Sequence, residues 1–137
     1  MHNMVRFPLL MNLALGLLLM GVVGCGPTGY KATGKITKGG EPMKLTDKAV
    51  VKIALYAESD KSFAEPFAVT WDKPFDGTFK VVGREGAGVP AGKYRVSIEV
   101  MDKYPDTRDS LGGKKARENA PVIEIKDASE FVIAVDK

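Results

Sequence analysis

The 137-residue chain is poor in the residues that carry most chemistry: one cysteine, one histidine and one tryptophan. A single cysteine, Cys25, excludes an internal disulfide. The one histidine is His2, so nothing after it offers an imidazole base for a serine or thiol nucleophile. Zinc loses its preferred nitrogen and sulfur ligands for the same reason. Charge of one sign is also scarce. Lys and Arg number 20 against 17 Asp and Glu, a formal net charge of +3. That is too little, and too scattered, for a nucleic-acid surface, which needs clustered basic residues. Internal repeats, low-complexity tracts and amphipathic helices are missing. The length suits one domain and hardly two. Such a domain buries roughly two-thirds of its unfolded surface, enough for an ordinary apolar core.

What is present begins with one greasy run. Residues 1–6 carry a single fixed charge, Arg6, and residues 9–23 are almost wholly apolar, interrupted by Asn12 and glycines. A charged start, an apolar stretch and small residues before a cut site make a secretory signal. The run ends in Val22-Val23-Gly24-Cys25. This tetrapeptide resembles the bacterial lipobox, with an aliphatic residue three places before the cysteine and a small one just before it. The resemblance implies cleavage between Gly24 and Cys25 and thioether attachment of diacylglycerol to Cys25, often with acylation of the new amino group. Two acyl chains meet the requirement for stable anchoring, since each buried methylene contributes about 0.8 kcal/mol and one chain is marginal. Two other readings compete: an uncleaved transmembrane helix, though spanning takes about 20 apolar residues, and an ordinary cleaved signal with a chance cysteine. Gly26, Pro27, Thr28 and Gly29 make a short tether without regular structure, which reaches only ~14 Å when extended. The expected organisation is a lipoprotein signal at 1–24, a lipidated cysteine and tether at 25–29, and a folded domain at 30–137, facing the periplasm or the exterior.

After Tyr30 the apolar residues alternate, which is the strand signature. Tyr94, Val96, Ile98 and Val100 fall on one face, with Arg95, Ser97 and Glu99 on the other. Val51, Ile53 and Leu55 alternate likewise, as do Phe79 and Val81, Ile123 and Ile125, and Phe131, Ile133 and Val135; a weaker run covers residues 32–37. Turn signals at Gly39-Gly40, Asp76-Gly77, residues 86–90, Gly112-Gly113 and residues 127–129 separate them. Short strands at this spacing predict an all-β sandwich or barrel. Alternation predicts antiparallel sheets with one wet face. Residues 110–119 have room for a turn of helix at most, because Gly112 and Gly113 interrupt them.

Three stretches resemble a known family. "ATGKITKGGEPMK" (32–44) is similar to the opening "G-x-V-x-x-x-G-x-P-h" of carboxypeptidase-regulatory-like domains (h meaning apolar), through Gly34, Ile36, Gly40, Pro42 and Met43. "WDKPFDGTFKV" (71–81) resembles their "D-x-x-G-x-F-x-h" step through Asp76, Gly77 and Phe79, with a spacing shorter by one. "GVPAGKYRVSIEV" (88–100) resembles "h-P-P-G-x-Y-x-h-x-h", with Ala91 where a second proline is common. "GKKARENAP" (113–121) is similar to the C-terminal segment of small bacterial lipoproteins that carry this domain. The resemblance implies a transthyretin-like or Ig-like β-sandwich of about seven strands, behind an N-terminal signal helix. It implies no peptidase residues. Gly34, Gly40 and Gly77 suit positions of positive φ or close approach. Phe79 and Tyr94 supply core area worth about 1.5–3 kcal/mol each.

Candidate sites are few. No catalytic residues, cofactor or metal ligands are expected. Residues 72–77 resemble part of a calcium loop but lack the alternating oxygen ligands and terminal Glu; a β-turn with Asp before Gly is simpler. Lys114, Lys115 and Arg117 are the densest basic patch, inside the longest unpatterned stretch, 102–120. They form a candidate contact loop near anionic lipid. The simpler alternative is a solvated loop balanced by Glu118, Asp106 and Asp109. Trp71, Tyr56 and Tyr104 offer aromatic surface for a glycan, although Trp71 also suits the core. The functional expectation is a lipid-anchored structural or protein-interaction module whose partners are membrane lipid and an envelope protein or glycan. The alternative is a glycan- or peptide-binding module, told apart by whether exposed aromatics line a groove.

Overall fold

The alternating runs pair as strands in a computed structural model that describes residues 29–103 and 105–136. The expected signal segment, Gly24, Cys25 and Tyr104 lie outside the described residues. The strands are β1 (Thr33–Lys38), β2 (Glu41–Pro42), β3 (Val50–Ala57), β4 (Val69–Thr70), β5 (Thr78–Val81), β6 (Gly92–Met101), β7 (Val122–Ile125) and β8 (Glu130–Ala134). The fold is an all-β sandwich. One sheet is β3-β6-β7, antiparallel throughout. The other is built on β1, with β8 on one edge and β5 and then β2 on the other; β4 lies outside β5.

Two details depart from the sequence expectation. Two strands, β2 and β4, are two residues long, too short to show any alternation. And β8 pairs with β1 in parallel, from Thr33↔Glu130 to Thr37↔Ala134. Tight hairpins force antiparallel pairing. The connection at 126–129 instead carries the chain from β7 in one sheet to β8 in the other, which frees β8 from that rule.

Ile36, Leu55, Phe79, Val81, Val96, Ile98, Val100, Ile125 and Ile133, each at most 2 % exposed, fill the space between the sheets. Two glycines, Gly34 and Gly77, are required by close approach or positive φ. A Cβ on Gly34 would overlap the Phe79 ring, which lies across its Cα from the partner strand. Gly77 has φ +95° and sits where β5 begins and β2 ends; a Cβ there would press on Met43 N at 3.0 Å and Ile36 O at 3.1 Å. At the start of β6 the Tyr94 hydroxyl donates to the Pro90 carbonyl at 2.6 Å, the tyrosine-corner arrangement of β-sandwiches. Burial raises the Tyr94 phenol above its ordinary pKa.

The long unpatterned stretch is a built part of the sheet. β7 pairs only with residues 92–95 of β6. Beyond that, loop 109–121 takes over the same edge. Val96 N donates to Pro121 O at 3.0 Å and Ile98 N to Lys115 O at 2.8 Å, while Val100 O accepts from Ser110 N at 2.7 Å. Val100 N donates to the Asp109 carboxylate at 2.9 Å, which also accepts from Leu111 N at 3.0 Å and Gly113 N at 2.8 Å. Ser97 faces outward in the alternation yet is buried, because the loop lies over it and Arg117 N donates to its Oγ at 3.1 Å.

Strand directions give the sandwich two distinct ends. β1, β4, β6 and β8 run away from the end where Gly29 and Tyr30 enter; β2, β3, β5 and β7 run back towards it. Loops 58–66, 82–91 and 126–129 lie at the entry end. Loops 43–49 and 71–77 and residues 102–103 lie at the far end. The ten-residue β6 sets the separation at ~30 Å.

Candidate functional site

The far end holds an open cleft of about 640 Å³ between loops 43–49 and 71–77. Leu45 N donates to Phe75 O at 2.8 Å and ties the two loops together. Phe75 is buried and meets Trp71 edge-on, with ring centroids 6.4 Å apart. Trp71 is half-buried: one part packs on the core and the rest lines the cleft. Val50, Val51 and Pro74 extend the apolar wall. Lys48, Lys73 and Lys103 line the same cleft against a single carboxylate, Asp47. The result is an aromatic and aliphatic floor under a positive rim. Its lining offers apolar contact and positive charge to whatever enters it.

The sequence candidates sit elsewhere or apart. Lys114, Lys115 and Arg117 lie on the flank of β6, and none lines the cleft. Lys114 is exposed and Lys115 half-buried; the Lys115 carbonyl and the Arg117 N–H hold the loop to β6. Two of the acids expected beside them are engaged otherwise. Asp109 caps backbone N–H groups, and Asp106 pairs with Arg108 at 2.8 Å. That side-chain hydrogen bond holds the Asp106 carboxyl at about 2, below its usual 3.8. Asp60 and Asp127 are lowered as well, Asp60 chiefly by the Glu65 N–H and Asp127 by the Ser129 side chain. All three occupy loop turns outside the cleft.

Asp76 Oδ1 accepts from Thr78 N at 2.8 Å, closing a turn. Among the described residues no group of three or more His, Cys, Asp or Glu side chains converges on one point, and no helix is long and apolar enough to cross a membrane. Tyr56 belongs to the other end of β3, where it meets Phe63 at 5.3 Å. It forms no platform with Trp71.

Sequence reasoning missed the three cleft lysines, at positions 48, 73 and 103, because loops far apart in the chain bring them together. The local signal was Trp71-Asp72-Lys73-Pro74-Phe75, an aromatic pair around a cation in a turn.

No family model and no curated protein matches the chain. A crystal structure of a DUF3823 family protein from Bacteroides ovatus is similar to it with a TM-score of 0.45 and 18% identity, over 77% of this chain and 43% of that one. The chain therefore spans less than half the length of that protein.

Proposed function

We propose that the protein is a lipid-anchored, extracytoplasmic, non-catalytic interaction module. In this reading Cys25 carries the lipid after cleavage behind Gly24, and the sandwich is of the carboxypeptidase-regulatory-like kind. The observation that carries it is the polarity of the sandwich. The chain enters at Gly29 and Tyr30, a few residues after Cys25, and the lysine-rimmed Trp71 cleft opens at the opposite end. A body tethered by its entry end holds the cleft ~30 Å out from the bilayer, where an envelope partner can reach it.

The alternative, a glycan- or peptide-binding module, draws support from Trp71, a half-exposed aromatic lining an open groove. Aromatic side chains placed this way contribute strongly to recognition. The two readings share one surface and differ in what occupies it.

Intact-mass analysis of material from the native host tests the anchor. The expected species begins at Cys25 and carries acyl mass. A polypeptide that still begins at Met1, or one trimmed without acyl mass, refutes it. Crosslinking in native membranes from a photoreactive group at Lys73 tests the module. Capture of one specific envelope component supports it, and capture of abundant bystanders alone counts against it.

A further inference from the structure

The three-stranded sheet leaves one edge open beside the cleft. Val96, Ile98 and Val100 of β6 direct main-chain groups to loop 109–121. Their ladder partners are Leu55, Ile53 and Val51. In an antiparallel pair such residues turn their N–H and C=O groups outward on both strands. On β3 the outward direction faces the second sheet's β4 side. There Leu55 O accepts from Phe67 N at 2.7 Å. The chain then leaves β3 and joins β5 as β4. Past that departure, among the described residues, no protein group pairs with the outward N–H and C=O of Ile53 or Val51. The side chains of both residues belong to the core between the sheets. Main-chain groups left unpaired on a strand edge are a template for pairing with another chain.

We propose that the β3 edge at Val51 and Ile53 takes up an extended acidic peptide segment as an added strand. The inference rests on the interaction reading above and names the partner's chemistry. Residues two apart on a strand repeat at ~7 Å, so the edge presents donor–acceptor pairs at the spacing of a peptide backbone. A sugar chain has no such repeat, although it could stack on Trp71. Main-chain bonds supply affinity in strand addition, and pockets for alternate side chains supply specificity. Here one face of the added strand meets the Trp71 and Val51 wall, and the rim of Lys48, Lys73 and Lys103 against Asp47 selects carboxylates.

Trp71 is the chain's only tryptophan, so its emission reports directly on the cleft. The full-length chain in detergent micelles is titrated with a capped heptapeptide of alternating glutamate and valine. Three controls accompany it: the same peptide with every backbone nitrogen methylated, a lysine–valine counterpart, and an oligogalacturonate. The glutamate peptide shifts Trp71 emission saturably. Methylation and charge reversal each weaken binding more than tenfold, and the oligogalacturonate gives no shift. Lys48→Glu with Lys73→Glu reverses the preference between the two unmethylated peptides. Val51→Pro, which removes an outward N–H, weakens the glutamate peptide more than tenfold; if that variant does not fold, the methylated peptide carries the comparison. Equal binding of the methylated peptide, a shift with the oligogalacturonate alone, or no shift with any probe overturns the proposal. Such a failure with a specific partner still captured from membranes overturns strand addition alone and leaves the interaction reading standing.

Discussion

The two edges of the three-stranded sheet are treated oppositely. On the β6 side every outward N–H from Val96 to Val100 has an acceptor, first Pro121, then Lys115, then the Asp109 carboxylate. On the β3 side the cover stops at Leu55; past it Ile53 and Val51 have no main-chain partner on that side among the described residues, and Val51 lines the cleft. An uncovered strand edge is a liability that natural proteins usually hide. This chain spends a thirteen-residue loop, 109–121, on hiding one edge and leaves the other next to a tryptophan and three lysines. In the proposed reading the contrast separates a structural edge, which loop 109–121 covers, from the edge offered to a partner.

A proline placed on each edge breaks the comparison most severely. Ile98→Pro removes the N–H bonded to Lys115 and costs more than about 3 kcal/mol, enough to unfold a marginal domain. Val51→Pro loses no protein hydrogen bond and costs less than about 2 kcal/mol, as proline is tolerated on an edge strand. Urea denaturation of the two variants measures the gap. Asp109→Ala comes next. It strips acceptors from three backbone N–H groups at once and lowers stability by about 3 kcal/mol, since bonds to charged groups are worth roughly 1.5–3 kcal/mol each but are partly replaced by water. The same variant loses exchange protection over 110–116 while leaving β3 unchanged. Ser97→Ala removes the one side-chain oxygen that holds Arg117 N, for about 1 kcal/mol by denaturation.

The smallest effect belongs to the exposed part of the preceding loop. Asp106 is held at about 2 by Arg108. A carboxyl lowered in the folded state contributes stability above its unfolded value of 3.8 and loses it as pH falls through about 2. Both groups face water, so the contribution is slight. Arg108→Gln moves the Asp106 titration, followed by NMR, up towards 3.8 and leaves the melting temperature at pH 7 unchanged within error.

Much of the sandwich was legible in the sequence because its long strands each bury one face. Residues 94–100 show it best: Tyr94, Val96, Ile98 and Val100 are all core residues, as their alternation predicts. Ser97 is the instructive exception, outward by pattern and buried by the loop. That loop was opaque because main-chain atoms, which leave no mark on the sequence, make most of its bonds to β6. Asp109 looked like a counter-charge and turned out to be a cap. The parallel β1–β8 pair was hidden for a related reason, since alternation says which face a strand buries and nothing of its direction. The cleft was the least visible feature. Lys48, Lys73 and Lys103 are ordinary surface residues one at a time, and Trp71 alone suited the core.

Native-state amide exchange residue by residue along β3 tests the open edge most directly. Lys52 and Ala54, which point their N–H groups at β6, exchange slowly; Val51 and Ile53, one position away in each case, exchange at least tenfold faster and slow down when the glutamate–valine peptide is bound. Uniform slow exchange from Val51 to Ala54 in the free protein would mean that the edge is already covered, and the contrast between the two edges would be gone.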